Sequence, residues 1–476
     1  MSATFDGETV DVAVMGGGIA GMIAANRAAE TGLRVVVLEK GSDERYLCNS
    51  RFTGGVFHVA FHSPMRAPAD LLRIIDAATA GAADPDMASA LANGLSPVIR
   101  WLQGEGIRFV KAGPDEWQDF ILAPPQYPRA GLHWPGRGGD VLLRTLEERL
   151  VLRGSRVRRG ARVVGIDPTA RGWCLNIEGV GASTHLEARA VIIADGGFQG
   201  DSAMLSQLVT NDPKALRQRG AGTGCGDGYR LAVSLGAAVV ATAEFYGHVL
   251  SRDSLHNDML WPYPWIDDLA GAGIAVDAGA QRFVDEGRGG VVLANAIARL
   301  PDPAGAVAIF DNAIWREVGT DMLIPANPLL EVHGCEIHQS LTIDGLARAV
   351  GLDPYVLQNT VSAYNAAFDS RDLDKLVPPR LQKRFRSRPL REPPFRAIRL
   401  AAGITYTMGG VRIDRSSRVL DVQRRAIPGL YAAGATTGGL EGGAAVGYVG
   451  GLVKSAVTGF LAGGTAAAEI AEQSAA

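Results

Sequence analysis

The chain has 476 residues, 47% of them hydrophobic and 20% charged, with a formal net charge of −3. That length suits two sizeable cores rather than one, the composition is that of a globular enzyme, and the charge excludes the basic excess of a nucleic-acid binder. Cys48, Cys174, Cys225 and Cys335 fall without C-x-x-C spacing, which speaks against a zinc site and a disulfide framework.

The start, MSATFDGETVDVAV, has neither a charged segment followed by a long apolar run nor a twin-arginine pair, so the chain is expected to be mature and cytoplasmic. No run of about 18 uncharged apolar residues occurs, so no integral membrane segment is expected. VDVAVMG (10–16) reads as a buried strand, IAGMIAANRAAETG (19–32) as a helix with a closing glycine, and LRVVVLEK (33–40) as a second strand, together a βαβ unit. A helix is expected over 139–153, then strands in SRVRRGARVVGIDP and HLEARAVIIADGG (185–197). From about 245 to 399 the texture changes to Trp- and Pro-containing loops (LWPYPWIDD) and short helices, ending in a basic connector at 378–400 that is expected to be a solvated face. Strand patterns return in GVRID and GLYAAGA, and a last helix is expected over roughly 451–472.

The turn between the first strand and helix holds Gly16-x-Gly18-x-x-Gly21. Such glycines allow a tight turn, close approach of a pyrophosphate to the backbone, and close packing of helix on strand, with the helix N-terminus facing the phosphates. Glu39 ends the second strand, placed to accept from ribose hydroxyls.

Further along, NSRFTGG (49–55), IIADGGF (192–198), TGCGDGYRLAVSLGAA (223–238), AQRFVDEG (280–287), REPPFRAI (391–398), ITYTMGGVRID (404–414) and GLYAAGATTGG (429–439) complete a pattern. With them the chain resembles, over nearly its whole length, the FAD-dependent fumarate reductase/succinate dehydrogenase flavoprotein family. The resemblance implies an α/β fold: a Rossmann-like FAD-binding domain at 1–244 and 400–476, with an inserted α+β capping domain at 245–399. It implies non-covalent FAD held by Gly16, Gly18, Ala20, Gly21, Glu39, Lys40, Asn49, Ser50, Thr53, Gly54, Gly55, Val163, Ala194, Asp195, Gly196, Gly197, Asp227, Gly434, Gly450, Gly451, Leu452 and Val453. The glycine loop GLEGGAAVGYVGG (439–451) would wrap the pyrimidine edge of the flavin, with the last helix aimed at it. Cys48 lies near the place of the flavin-linking histidine of some relatives but does not match that motif.

Relatives acting on C4 dicarboxylates clamp their substrate with a histidine before TMGG and an arginine before the last helix. Here Tyr406 and Tyr448 stand at those positions, and neither phenol neutralises a dianion. Arg288 in RFVDEGRGG is a candidate to bind substrate, act as an acid, or pair with Asp285 or Glu286. The segment EFYGHVLSRDSLHND (244–258) supplies His248 as a candidate proton shuttle, with Tyr246, Arg252 and His256 beside the substrate; Glu286 joins the substrate-binding set. His133 and Arg137 read as ordinary loop residues. His333, Cys335 and His338 lack the second half of a tetrahedral set, so no metal is expected.

FVDEG resembles the tricarballylate dehydrogenase branch, and GYVGG the Tyr-containing loop of 3-ketosteroid dehydrogenases. Both imply dehydrogenation, or the reverse reduction, of a C–C bond α,β to a carbonyl or carboxylate. The tricarballylate-like reading leads, and an apolar enone or ketone is the alternative. The tryptophans and Tyr263 of LWPYPWID suit the alternative if they face the flavin. A flavoprotein electron-transfer subunit is the competing class. With no iron–sulfur or haem motif in the chain, any such centre would sit on a separate electron-transfer protein.

Overall fold

A computed structural model describes residues 8–179, 183–321, 323–381 and 387–475. The expectations drawn from residues 1–7 and from 382–386 of the basic connector lie outside the described residues.

The first strand, Glu8–Met15, is buried along most of its length, as an apolar run in the middle of a parallel sheet must be. It pairs in parallel with Val35–Glu39 on one side and Ser183–Ile193 on the other. Arg156–Arg159 extends the sheet at one edge, Ala426–Ala432 and then Arg418–Leu420 at the other, and the hairpin Arg162–Thr169/Gly172–Glu178 completes eight strands. Right-handed crossovers between parallel strands require covering helices. Ile19–Ala29 and the last helix, Gly451–Ala475, pack tightly against each other.

Bare backbone makes that packing possible. At Gly21 a Cβ would stand 2.0 Å from the Gly16 carbonyl oxygen, and at Gly459 and Gly463 it would stand 2.4 and 2.2 Å from the carbonyls of Ala20 and Ala24. The two helices therefore touch backbone to backbone, and their N-terminal ends open toward the same space.

A second core forms around a six-stranded sheet. Its long strand, Phe395–Thr407, pairs with Phe245–Ser251, Val307–Phe310, His338–Ser340 and Leu216–Gln218, and Ile274–Val276 lies beyond Val307–Phe310. Phe245, Leu269, Ile309, Phe310, Leu346, Leu357 and Ile398 fill it. Phe198, Met204 and Leu205, which come before residue 245, also pack into this core. The architecture is a Rossmann-like FAD-binding domain with an inserted α+β cap. Among the described residues no helix is long and apolar enough to cross a membrane.

Gly463→Val is expected to drive the last helix off the first and to cost about 1–3 kcal/mol by overpacking, read as a lower denaturant midpoint; an unchanged midpoint would show that the contact is not needed.

Candidate active site

A cavity of about 1150 Å³ lies where the two cores meet. One end is built by the first βαβ unit. Gly16 has a positive φ of 101°, and a Cβ there would lie 2.6 Å from the Ala194 carbonyl oxygen, so the turn needs glycine twice over. The Glu39 carboxylate accepts Gly17 N–H and Gly41 N–H at 2.8 Å each. Ser50 Oγ accepts Ile19 N–H at 2.9 Å, and Tyr46 donates to the Gly17 carbonyl at 2.8 Å. Asn49 bridges the cores, donating to the Thr405 carbonyl at 2.7 Å and accepting Ala221 N–H at 2.8 Å. Asp227 holds Arg162 at 2.9 Å and Lys40 at 3.6 Å. Asp195 accepts from Gly228 N–H and Thr436, yet burial pushes its carboxyl up to about 6.

The other end is aromatic. Tyr246 and Tyr448 stack with centroids 4.1 Å apart. Tyr246 Oη lies 3.0 Å from His248 Nε2, and His248 Nδ1 lies 2.5 Å from Asp267 Oδ2. The imidazole stacks on Trp265 at 4.2 Å. Burial pushes the Tyr246 phenol up to about 12 and holds those of Tyr406 and Tyr448 well above the usual range. Tyr406 donates to both oxygens of Glu441 at 3.0 Å, so its hydroxyl is committed to a carboxylate of the glycine loop.

Eighteen of the expected cofactor residues line the cavity: Gly16, Gly18, Ala20, Glu39, Lys40, Asn49, Ser50, Thr53, Gly54, Gly55, Val163, Ala194, Asp195, Gly196, Asp227, Gly434, Gly451 and Leu452. Gly21, Gly197, Gly450 and Val453 lie behind the wall, where the three glycines admit neighbouring atoms at under 3 Å from a would-be Cβ. Tyr246, His248, Tyr263, Tyr406 and Tyr448 line its reactive end.

Four expectations are corrected, since their side chains do not line the cavity. Arg252 donates to the Ala304 carbonyl at 3.2 Å, and His256 is exposed at the end of a short 3-10 turn. Glu286 is wholly buried against Arg282 and Arg380, an ion cluster inside the cap. Arg288 donates to the Ala445 carbonyl at 2.8 Å and so ties the cap to the glycine loop. His133 and Arg137 bond within their own loop, to Ala130 and to Pro125 and Tyr127. Among the described residues no group of three His, Cys, Asp or Glu is placed to hold a metal ion.

Arg219, Asp267, Glu441 and Lys454 were not singled out from the sequence, whereas Trp265 is one of the two tryptophans of LWPYPWID expected to suit an apolar substrate if they face the flavin. Glu441 and Lys454 had a signal: a glutamate inside a glycine-rich loop and a lysine in an apolar helix must be paired if buried. Lys454 Nζ donates to the Thr437 carbonyl at 2.8 Å and lies 3.6 Å from Glu441.

Residues 11–448 match the FAD binding domain family. The chain belongs to that family. It is 26% identical to a fumarate reductase (cytochrome) of Shewanella frigidimarina, over 97% of this chain and 77% of that one. It is also 26% identical to the 4-oxocyclohexanecarboxylate 2-dehydrogenase of Sinomonas cyclohexanicum, over 97% and 94%. Among solved structures it is similar to the 3-ketosteroid-delta4-(5alpha)-dehydrogenase of Rhodococcus jostii RHA1, with a TM-score of 0.73, 22% identity and 98% of each chain covered. The protein is thus an FAD-dependent oxidoreductase of the fumarate reductase/succinate dehydrogenase type, acting on C–C bonds.

The cavity fits FAD on its own evidence. It exceeds the roughly 300–1,000 Å³ usual for one small ligand. Ala20 of the first helix and Gly451 and Leu452 of the last line it in their opening turns, where backbone N–H groups lack intrahelical partners, and Gln199 keeps a buried side-chain oxygen without a partner on its wall.

Asp195 adds a pH dependence. Its folded-state carboxyl is raised from 3.8 to about 6, so its contribution to stability is full below about pH 4 and is lost as pH rises through about 6. Asp195→Asn is expected to narrow the difference in melting temperature between pH 5 and pH 7.5; an unchanged difference would contradict the assignment.

Proposed function

We propose that this flavoenzyme removes hydrogen from, or adds it to, the C–C bond beside the carbonyl of a flat, largely apolar substrate bearing at most one carboxylate. The observation that carries this reading is the charge on the cavity wall. Five lining residues are lysine or arginine: Lys40, Arg66, Arg162, Arg219 and Lys454. Lys40 and Arg162 are paired with Asp227, Arg66 with Glu116, and Lys454 with Glu441. Among the described lining cations, only Arg219 lacks a carboxylate in ion-pair reach. It bonds the Thr405 hydroxyl and the Pro262 carbonyl, and its buried Nε has no partner. One cation among Tyr246, Tyr263, Trp265, Tyr406 and Tyr448 suits a neutral or singly charged ring. A tricarboxylate would bring charges with nothing to balance them, at a cost of several kcal/mol. This favours the ketone alternative over the tricarballylate-like reading. The dehydrogenase of Sinomonas cyclohexanicum is named for a cyclic ketone with one carboxylate, which supports the same choice.

Bound FAD supplies the hydride acceptor for dehydrogenation, or the donor for reduction. The chain supplies the rest. Tyr448, a cavity-wall phenol that keeps its proton, is placed to donate to the carbonyl oxygen, where negative charge grows as the neighbouring C–H bond weakens. The amide-rich start of the last helix adds a positive field there. Proton transfer falls to the Tyr246–His248 pair, and the aromatic wall excludes water. We place FAD without a covalent link: the thiol of Cys48, pushed up to about 11 by burial, is a poor nucleophile. The electron acceptor is proposed to be a separate molecule.

The test is anaerobic bleaching of the bound flavin by a panel of compounds. 4-Oxocyclohexanecarboxylate or a 3-ketosteroid should bleach it, and tricarballylate and succinate should not. Bleaching by the polycarboxylates alone would overturn the reading.

A further inference from the structure

We propose that Tyr246 is the catalytic residue that exchanges a proton with the substrate carbon beside the carbonyl, and that His248 and Asp267 stand behind it as a positioning relay. This rests on the reading above, because the carbon acid must be activated by a neighbouring carbonyl.

The local sequence builds the relay. Alternate residues of a strand share a face, so Tyr246 and His248 both look into the cavity from Phe245–Ser251. The register shifts between them: Tyr246 opposes Tyr406 and Gly247 opposes Ile404, which leaves Thr405 unopposed. Such a bulge re-aims side chains, and it needs a bare residue at Gly247, where a Cβ would sit 1.8 Å from the Gly403 carbonyl oxygen. Asp267 is seated in the same way, against Gly290, where a Cβ would lie 1.9 Å from its carboxyl carbon.

Both oxygens of Asp267 are used. Oδ1 accepts Val249 N–H at 2.7 Å and Oδ2 takes His248 Nδ1 at 2.5 Å. With the Nδ1 proton held there, Nε2 is the acceptor, and the Tyr246 hydroxyl is its donor at 3.0 Å. Trp265, stacked within 13° of parallel, keeps the ring in that orientation.

A phenol pushed up to about 12 keeps its proton at neutral pH and cannot be a base unaided. Passing its own proton to His248 removes that obstacle. The substrate C–H bond breaks, its proton bonds to Tyr246 Oη, and the phenolic proton moves to His248 Nε2. The electron pair of the C–H bond moves onto the carbonyl oxygen, and Asp267 balances the imidazolium. Bound FAD would supply the two-electron acceptor for the hydride that leaves the next carbon, which balances the dehydrogenation. The other nearby groups are committed differently: Tyr406 to Glu441, and Arg288 outside the cavity.

The experiment separates the proton step from the redox step. FAD-loaded protein is incubated without oxygen in D2O with 4-oxocyclohexanecarboxylate. Loss of the α-proton signal is followed by NMR, bleaching by absorbance, and the dissociation constant by the perturbation of the flavin band. Tyr246→Phe is expected to slow exchange and bleaching together by about 10²–10⁴-fold, with binding within about threefold. Asp267→Asn is expected to lower kcat by about 10²-fold or more with KM little changed, and added imidazole should partly restore His248→Ala. Exchange preserved in Tyr246→Phe, a rise in KM in place of the fall in kcat for Asp267→Asn, or no response to imidazole would overturn the relay alone. If the unaltered protein neither exchanges nor is bleached, the relay and the ketone reading fall together.

Discussion

One buried carboxylate organises the reactive end. Glu441 accepts the Tyr406 hydroxyl, Val449 N–H and Gly450 N–H, and faces the Lys454 ammonium, all of them buried. These four partners come from the cap-side strand, the glycine loop and the last helix. A loop so rich in glycine would otherwise sample many conformations. The carboxylate gives it one, and so sets where Tyr448 stands and where the last helix begins. A lysine in the first turn of a helix opposes the helix dipole, and burial lowers its affinity for the proton. Glu441 offsets both effects, and removing either partner would leave a buried charge uncompensated.

From Tyr448 the contacts continue without a gap through the stacked ring of Tyr246 to His248 and Asp267. The reactive end is therefore shared. The FAD-binding domain contributes the glycine loop and helix start, and the cap contributes the relay. Arg288, donating to the Ala445 carbonyl, and Asn49, donating to the Thr405 carbonyl, are direct ties across the same seam. Among the described cations lining the cavity, Arg219 is the one without a carboxylate in ion-pair reach, which is what the proposed preference for a weakly charged substrate rests on.

Much of the fold was legible because it rests on local pattern. The strand–glycine–helix–strand unit, its Glu39, and the late glycine loop with its helix are contiguous in the chain, and the family match follows from them. The reactive end was legible only in part. Tyr246, His248 and Tyr448 could be picked out as chemistry-bearing residues in marked segments, but Asp267 meets His248 only through the fold of the cap, and Arg219 points inward from a stretch that reads as loop. Glu286 and Arg288 attracted attention as charges in a motif. The fold uses the first in a buried ion cluster and the second as a strap on the loop. Tyr406 stands in the wall, but its hydroxyl faces Glu441, an orientation that residue type alone does not carry.

The account is tested most directly by replacing Glu441 with alanine in the FAD-loaded protein and measuring the dissociation constant of 4-oxocyclohexanecarboxylate from the shift it causes in the flavin's visible band. If Glu441 holds the loop in its binding form, flavin is retained and the ketone binds about tenfold or more weakly, the loss expected for a broken buried charge network. Unchanged ketone affinity in Glu441→Ala, with flavin still bound, would contradict it.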